Sequence, residues 1–159
     1  LFTMFGRGVK AADVPIMQRS KAPGEVRSSD AAIPWTMKPD PSAKGFRNVF
    51  DDTNAVKTFV HRRLATDSGR AGSVELPKGD HRRFCEHVAA SEYSTETTGP
   101  HGTILEWKQM PGQPDNHWFD TLCGAIVAVS ISGKVHYSRV VGGPHTKQTP
   151  ATRRKVSYL

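Results

Sequence analysis

The clearest alternation of apolar and polar residues lies between residues 46 and 64. FRNVF, residues 46–50, has the composition of a strand, and the chain then becomes acidic at Asp51-Asp52. Apolar residues follow at offsets of three, four and eight from Val56, which is the spacing of one buried helix face ending near Leu64. Thr53-Asn54 supplies N-cap chemistry at the start of that face. The pattern therefore predicts a strand that runs directly into an amphipathic helix.

Weaker patterns predict the remaining elements. LFTMF at residues 1–5 and SVEL at residues 73–76 are typical of short strands. SEYSTETT and GTILEWKQM predict a hairpin with its turn at residues 98–102. Further helices are predicted after Asp80, with Phe84 and Val88 facing inwards, and after Asp115 or Asn116. Helices and strands alternate along this order, which favours an α/β domain over residues 1–133.

Two segments carry no sustained period. Residues 18–45 are rich in Lys, Ser, Pro and Gly, and we expect a long, basic, exposed loop there. Residues 134–159 are polar and basic, and we expect a flexible tail. The net charge of +7 and a pI near 9.7 suit a polyanionic partner such as nucleic acid, although a lysine-rich solvated surface gives the same totals.

Composition also excludes some classes of protein. The longest apolar run, residues 122–131, is too short to cross a bilayer core of about 30 Å. No basic amphipathic helix and no leader-like N-terminus is evident, so we expect no membrane association. Cys85 and Cys123 lack metal-ligand spacing, and we interpret both as reduced core residues of a cytosolic protein.

Two acids lie at positions where a metal ion is a plausible partner. Asp52 ends a strand and begins a helix, and Asp120 lies in the first turns of an apolar helix. A helix dipole offsets only about 0.3–1 kcal/mol of the cost of placing a carboxylate there, less than the several kcal/mol that burial costs. Mg²⁺ held by such carboxylates, water and phosphate oxygens would compensate the charge. Capping is the competing explanation and is preferred for Asp115, while Asp51 is interpreted as an exposed neighbour that a register error of one residue would exchange with Asp52.

Three segments resemble a known family. FDDTNAVKTFVHRRL, HRRFCEHVAASEY and LEWKQMPGQPDNHWFDTLCGAIVAVSISG resemble, in this order, the C-terminal nuclease region of large terminase subunits of lambda-like tailed phages. The specific parts are the DTNxxKxFVHxRL and PDNHWxDxLxG patterns, and GRGVKAADVPI resembles the family's segment between its first strands. The similarity covers roughly residues 1–133.

The resemblance implies an RNase H-like mixed sheet flanked by helices and a Mg²⁺- or Mn²⁺-dependent endonuclease. That enzyme would cut double-stranded DNA concatemers during genome packaging, in the host cell cytoplasm, together with the terminase small subunit and the portal protein. By motif, Asp52 and Asp120 would be catalytic metal ligands, and His117 and Asn54 would lie around them. The DNA backbone would contact basic residues of the helices, strand and loop: Lys57, Arg62, Arg63 and Lys108, with the 18–45 loop.

One departure from the family pattern leaves the activity open. The family carries its first metal acid on a first strand that lies upstream of Leu1, and it also has an ATPase motor; we therefore expect a truncated copy or one segment of a larger protein. The alternative to a nuclease is a non-catalytic DNA-binding or terminase-interacting remnant with an incomplete acid set. Another RNase H-like enzyme, a transposase or resolvase, would share the acids but not the paired PDNHWFD and DTNAVK patterns.

Overall fold

A four-stranded mixed sheet and a separate hairpin form the framework of the molecule. The structure, a computed structural model, describes residues 1–112 and 116–133. The elements follow along the chain as β1 (Phe2–Arg7), β2 (Val26–Arg27), β3 (Trp35–Pro39), β4 (Arg47–Asp52), α1 (Thr53–Leu64), α2 (Arg82–Cys85), β5 (Glu92–Gly99), β6 (Gly102–Gln109) and α3 (His117–Ser132). A 3₁₀ turn spans Ile16–Gln18, and a π-helical turn spans Glu86–Ala90 after α2.

The strand order β1-β4-β3-β2 places β4 inside the sheet. β1 pairs with β4 in parallel, whereas β3 is antiparallel to both β4 and β2. The hairpin β5–β6 is antiparallel with Gly99 opposite Gly102, so Pro100 and His101 form its turn. The chain is thus an α/β protein with a mixed sheet, as the alternating pattern predicts.

The core lies between one face of the sheet and the two long helices. Val49 on β4, Val56 and Val60 on α1, and Phe119 and Val127 on α3 are almost completely buried. Val56 and Val60 are four residues apart, as the helical period in the sequence predicts. They lie on the face of α1 that packs against α3. Apolar area removed from water in this layer supplies most of the driving force for the fold.

A side-chain hydrogen bond connects α3 to the sheet. The indole Nε1 of Trp35 donates to Ser130 Oγ at 3.0 Å, which joins β3 to the last turn of α3. The helix ends at Gly133, whose φ of 63° is the left-handed conformation that glycine adopts at low cost. The apolar 122–131 run is therefore the sheet-packing part of α3. None of the helices within the described ranges has the length and apolarity needed to cross a membrane.

The structure confirms most of the predicted elements and changes three. The strand–helix unit at residues 46–64, the hairpin and the last helix are present. Residues 73–76, predicted as a strand, form none. Asp80 does accept a hydrogen bond from the Arg82 amide at 2.9 Å, but α2 lasts only four residues before the π-helical turn.

The predicted long basic loop at residues 18–45 contains β2 and β3. Ile33 and Trp35 are buried, and β3 forms its ladder between β4 and β2. The apolar stretch around Ile33 is too short to show a period of two, so only the neighbouring strands identify it as part of a sheet. The predicted tail, residues 134–159, and Asp115 lie outside the described residues.

Candidate active site

A buried ammonium group joins three separate elements at one end of the sheet. Lys57 Nζ on α1 lies 2.7 Å from both carboxylate oxygens of Glu92 at the start of β5. It also lies 2.9 Å from Asp120 Oδ1 in the first turn of α3. The Lys57 and Glu92 side chains are 6% and 7% exposed, and Asp120 is 48% exposed. Lys57 therefore connects a buried acid to one that reaches solvent.

Two further contacts hold this ion-pair cluster. Asn116, directly before α3, donates its amide Nδ2 to Glu92 Oε1 at 2.6 Å. The Lys57 ammonium lies 5.4 Å from the centroid of the buried Phe119 ring. Burial by itself would lower the pKa of Lys57, but its hydrogen bonds with Glu92 and Asp120 outweigh that effect and raise it. Lys57 is therefore a permanent cation in this site.

Asp51 is the second acid on the same side of the sheet. It is 5% exposed and lies two residues beyond the core residue Val49 on β4, so both side chains point to the face that α3 covers. Burial, together with the charges of Asp52 and Asp120, raises the pKa of Asp51 to about 6. We call Asp51 and Asp120 the carboxylate pair, because the negative charge of Asp120 acts on Asp51.

Asp52 points to the other side of β4 and caps α1. Its Oδ1 accepts from the backbone amides of Asn54 at 3.1 Å and Ala55 at 3.3 Å, and from Val9 at 3.4 Å. Burial raises its pKa, and these three backbone hydrogen bonds, together with the charge of Arg19, partly oppose that rise. The predicted metal ligand Asp52 is therefore placed as an N-cap, and Asp51 is the strand acid beside Asp120. Alternation along a strand is the reason, since one residue changes the face.

The two residues predicted to surround the metal acids have different positions. Asn54 is buried and links three elements: its Nδ2 donates to Val9 O at 2.9 Å, and its Oδ1 accepts from Trp107 N at 2.9 Å. It orders the segment after β1 against α1 and β6. His117 is exposed at the start of α3, and its carbonyl accepts from Thr121 Oγ1 at 2.7 Å.

The predicted DNA-contacting residues divide into one buried and three more accessible side chains. The Lys57 side chain is 6% exposed and its ammonium faces Glu92 and Asp120 rather than solvent, so its contact with a DNA backbone stays a prediction. Arg62 is exposed, and Arg63 stacks on Phe59 with its Cζ 4.9 Å from the ring centroid. Both line an open cleft of about 830 Å³ between α1 and the hairpin. Lys108 is exposed on β6.

Sequence reasoning missed Glu92 and gave Asp51 a different role. For Asp51 a signal was present, because Val49 and Asp51 are two apart in a strand whose apolar members must face a core. For Glu92 there was none, because its partner Lys57 lies 35 residues away in sequence. The cysteine prediction is confirmed only in part: Cys123 is buried, and burial raises its pKa to about 12, but Cys85 is exposed.

The carboxylate pair offers a divalent cation two ligands, fewer than a closed metal site provides. Among the described residues, no group of three His, Cys, Asp or Glu side chains is arranged to hold a metal ion. Mg²⁺ is commonly held by one or two carboxylates, with water and substrate phosphate oxygens completing its shell. Asp51 and Asp120 supply two carboxylates, one buried and destabilised by its neighbours and one reaching solvent. Comparisons with protein-family models, with curated proteins and with solved structures found no match.

The raised pKa of Asp51 makes a testable contribution to stability. Between pH 4 and 6 the folded chain keeps a proton on Asp51 that the unfolded chain has released, so stability falls as pH rises through that window. Asp51→Asn removes this effect. We expect the variant to match the wild type near pH 4 and to exceed it above pH 7 by about 1.5–3 kcal/mol in the free energy of unfolding.

Urea denaturation at matched pH values measures this difference directly. Comparing the two proteins at each pH cancels the contributions of other acids, including Glu25, whose pKa is lowered and whose effect has the opposite sign. A constant difference between the proteins across this pH range would contradict the prediction.

Proposed function

We propose that this chain is the RNase H-like nuclease segment of a phage terminase large subunit, which hydrolyses phosphodiester bonds in double-stranded DNA with Mg²⁺ or Mn²⁺. The observation that carries the proposal is the carboxylate pair formed by Asp51 at the end of β4 and Asp120 at the start of α3. Asp120 belongs to the PDNHWxDxLxG pattern, and Asp51 directly precedes the DTNxxKxFVHxRL pattern, which begins at Asp52. The 2.9 Å bridge between Lys57 and Asp120 supports the same idea, because it joins those two patterns in space.

Each residue of the site then has a distinct task. Asp51 and Asp120 would hold the divalent ion, which when bound activates a water molecule and stabilises the leaving oxygen of the phosphodiester. Lys57 fixes the position of Asp120, the acid that reaches solvent, and neutralises the buried Glu92. Arg62, Arg63 and Lys108 would contact phosphates of the DNA without reading sequence. The terminase small subunit, the portal protein and the host cytoplasm belong to this proposal as partners and location.

Plasmid nicking with Mn²⁺ tests the activity. The wild-type chain is expected to convert supercoiled plasmid to the nicked form, and EDTA is expected to stop it. Asp120→Ala should lower the rate by about 100-fold or more, since metal-based charge stabilisation is worth several kcal/mol in the transition state. Asp67→Ala is the matched control, because Asp67 is an exposed aspartate that also pairs with a basic residue, Arg70. Equal nicking by wild type and Asp120→Ala would remove Asp120 from the mechanism.

A non-catalytic DNA-binding role is the second candidate. It is favoured by the commitment of Lys57 to Asp120 and by the lack of a three-ligand metal group within residues 1–112 and 116–133. Binding of duplex DNA that weakens with salt, is unchanged by Mn²⁺ and is not accompanied by nicking would select this role.

A further inference from the structure

The sheet face opposite α3 carries a basic pocket. Adjacent strand positions place Phe50 beside Thr36 and Thr36 beside Arg27, on the face opposite Val49 and Asp51. Arg7 from β1 and Arg19 from the segment after the 3₁₀ turn border the same space. We call this the arginine pocket; it has a volume of about 220 Å³, and its lining includes Arg7, Arg19, Glu25, Arg27, Lys38 and Phe50.

Positive charge in the arginine pocket is only partly neutralised. Four cationic side chains line it against one carboxylate, that of Glu25. Glu25 is almost fully buried and already binds Arg27 at 2.5 Å and Lys38 at 3.2 Å. Glu25 Oε2 also accepts a hydrogen bond from the Ala22 amide at 3.2 Å. The excess of three cations over the lining carboxylate therefore needs an anion or solvent.

Arg7 and Arg19 are the side chains best placed to meet that anion. Within the described part of the chain, neither forms an ion pair with a carboxylate. Arg7 lies over the Phe50 ring with its Cζ 4.5 Å from the ring centroid, a cation–π contact that holds the guanidinium at the pocket. Arg19 donates its Nε to Val14 O at 2.9 Å, and its charge also acts on Asp52 from a distance. Both guanidinium groups keep terminal N–H donors in the planar arrangement that suits phosphate.

We propose that the arginine pocket binds a single phosphate group. Its volume is below the roughly 300 Å³ at which pockets begin to enclose a whole small molecule, so it accommodates a phosphate and water rather than a complete nucleotide. One source of this phosphate is the backbone of duplex DNA. Only the choice of DNA as the source rests on the proposed function. Free phosphate is the other source, and the chemistry of recognition is the same.

Binding is measured without any divalent metal, so the result is independent of nuclease activity. Inorganic phosphate is titrated into the isotopically labelled chain in EDTA, and the arginine Nε–Hε resonances are followed by NMR. We expect saturable shifts at Arg7 and Arg19. Arg7→Gln/Arg19→Gln should weaken phosphate binding by at least about 10-fold, since charge-assisted bonds to both guanidinium groups are lost. The two single variants, checked for thermal unfolding, separate loss of binding from loss of fold.

A short DNA duplex in the same buffer identifies the source of the phosphate. If the DNA backbone occupies the pocket, the double variant binds duplex more weakly and its log–log salt slope falls by about 0.9, the value for one phosphate contact. Arg47→Gln/Arg83→Gln changes the charge equally at exposed arginines outside the pocket and is the matched control. Asp51→Asn should bind phosphate like the wild type, which separates this inference from the proposed catalytic site.

Each result decides the matter. If Arg7→Gln/Arg19→Gln binds phosphate more weakly but binds duplex DNA like the wild type, the arginine pocket is a binding site for free phosphate. Absence of saturable shifts at Arg7 and Arg19 in the wild type, or an equal loss in the control variant, overturns the inference.

Discussion

Asp51→Asn is expected to lower Mn²⁺-dependent nicking by about 100-fold or more, while Asp52→Asn leaves it within a few-fold of the wild type. The two substitutions are isosteric and adjacent in sequence, so they differ only in the side of β4 that each affects. Asp51 lies on the face of β4 that α3 covers, where the charge of Asp120 acts on it, whereas Asp52 accepts backbone hydrogen bonds at the start of α1. Asparagine retains the accepting oxygen and caps a helix about as well as aspartate, so Asp52→Asn should fold normally.

Asp51→Asn and Asp52→Asn together also test the sequence-based assignment of Asp52, rather than Asp51, as the metal ligand. If Asp52→Asn loses nicking and Asp51→Asn keeps it, the metal ion binds on the opposite face of β4 and Asp52 is the metal ligand. Mn²⁺ affinity, measured by calorimetry on each variant without DNA, should follow the same order as nicking. The same Asp51→Asn chain is expected to be more stable above pH 7, so a loss of activity accompanied by a gain of stability would indicate a functional carboxylate kept at a cost to the fold.

Lys57→Met is expected to lower the free energy of unfolding by about 3–5 kcal/mol. Methionine fills a similar volume, so packing against Phe119 is largely kept and the main loss is electrostatic. Glu92, 7% exposed, would then be left as a buried charge whose described side-chain partner is Asn116. Breaking one side of a buried ion pair is costly for this reason, even where the intact pair adds little to stability.

Urea denaturation of two further variants tests the electrostatic explanation. Lys57→Met/Glu92→Gln removes the orphaned charge and should recover a large part of the loss, because glutamine still accepts from Asn116. Lys44→Met, an exposed lysine outside the cluster, should change stability by less than about 0.5 kcal/mol. A loss below about 1 kcal/mol in Lys57→Met would show that Glu92 remains well solvated.

Local patterns were sufficient where an element carries its own signal. The α1 face at Val56 and Val60 repeats at the helical period, and the hairpin is fixed by a short turn between alternating strands. β3 lacked such a signal, because its five residues become a strand by pairing with β4 and β2. For α2 a pattern was present in Asp80, Phe84 and Val88, but it did not show that the α-helix would end after four residues and continue as a π-helical turn.

The sequence by itself determined the α/β class, the strand–helix unit around Asp52, the late apolar helix with Asp120, and the excess of basic charge. Only the tertiary structure decided which aspartate of the Asp51-Asp52 pair meets Asp120, because a displacement of one residue along a strand reverses the face. It also decided that Lys57 is buried against Glu92, and that Arg7 and Arg19 share a pocket. These pairings join residues far apart in the chain, so their geometry depends on how the sheet and helices pack.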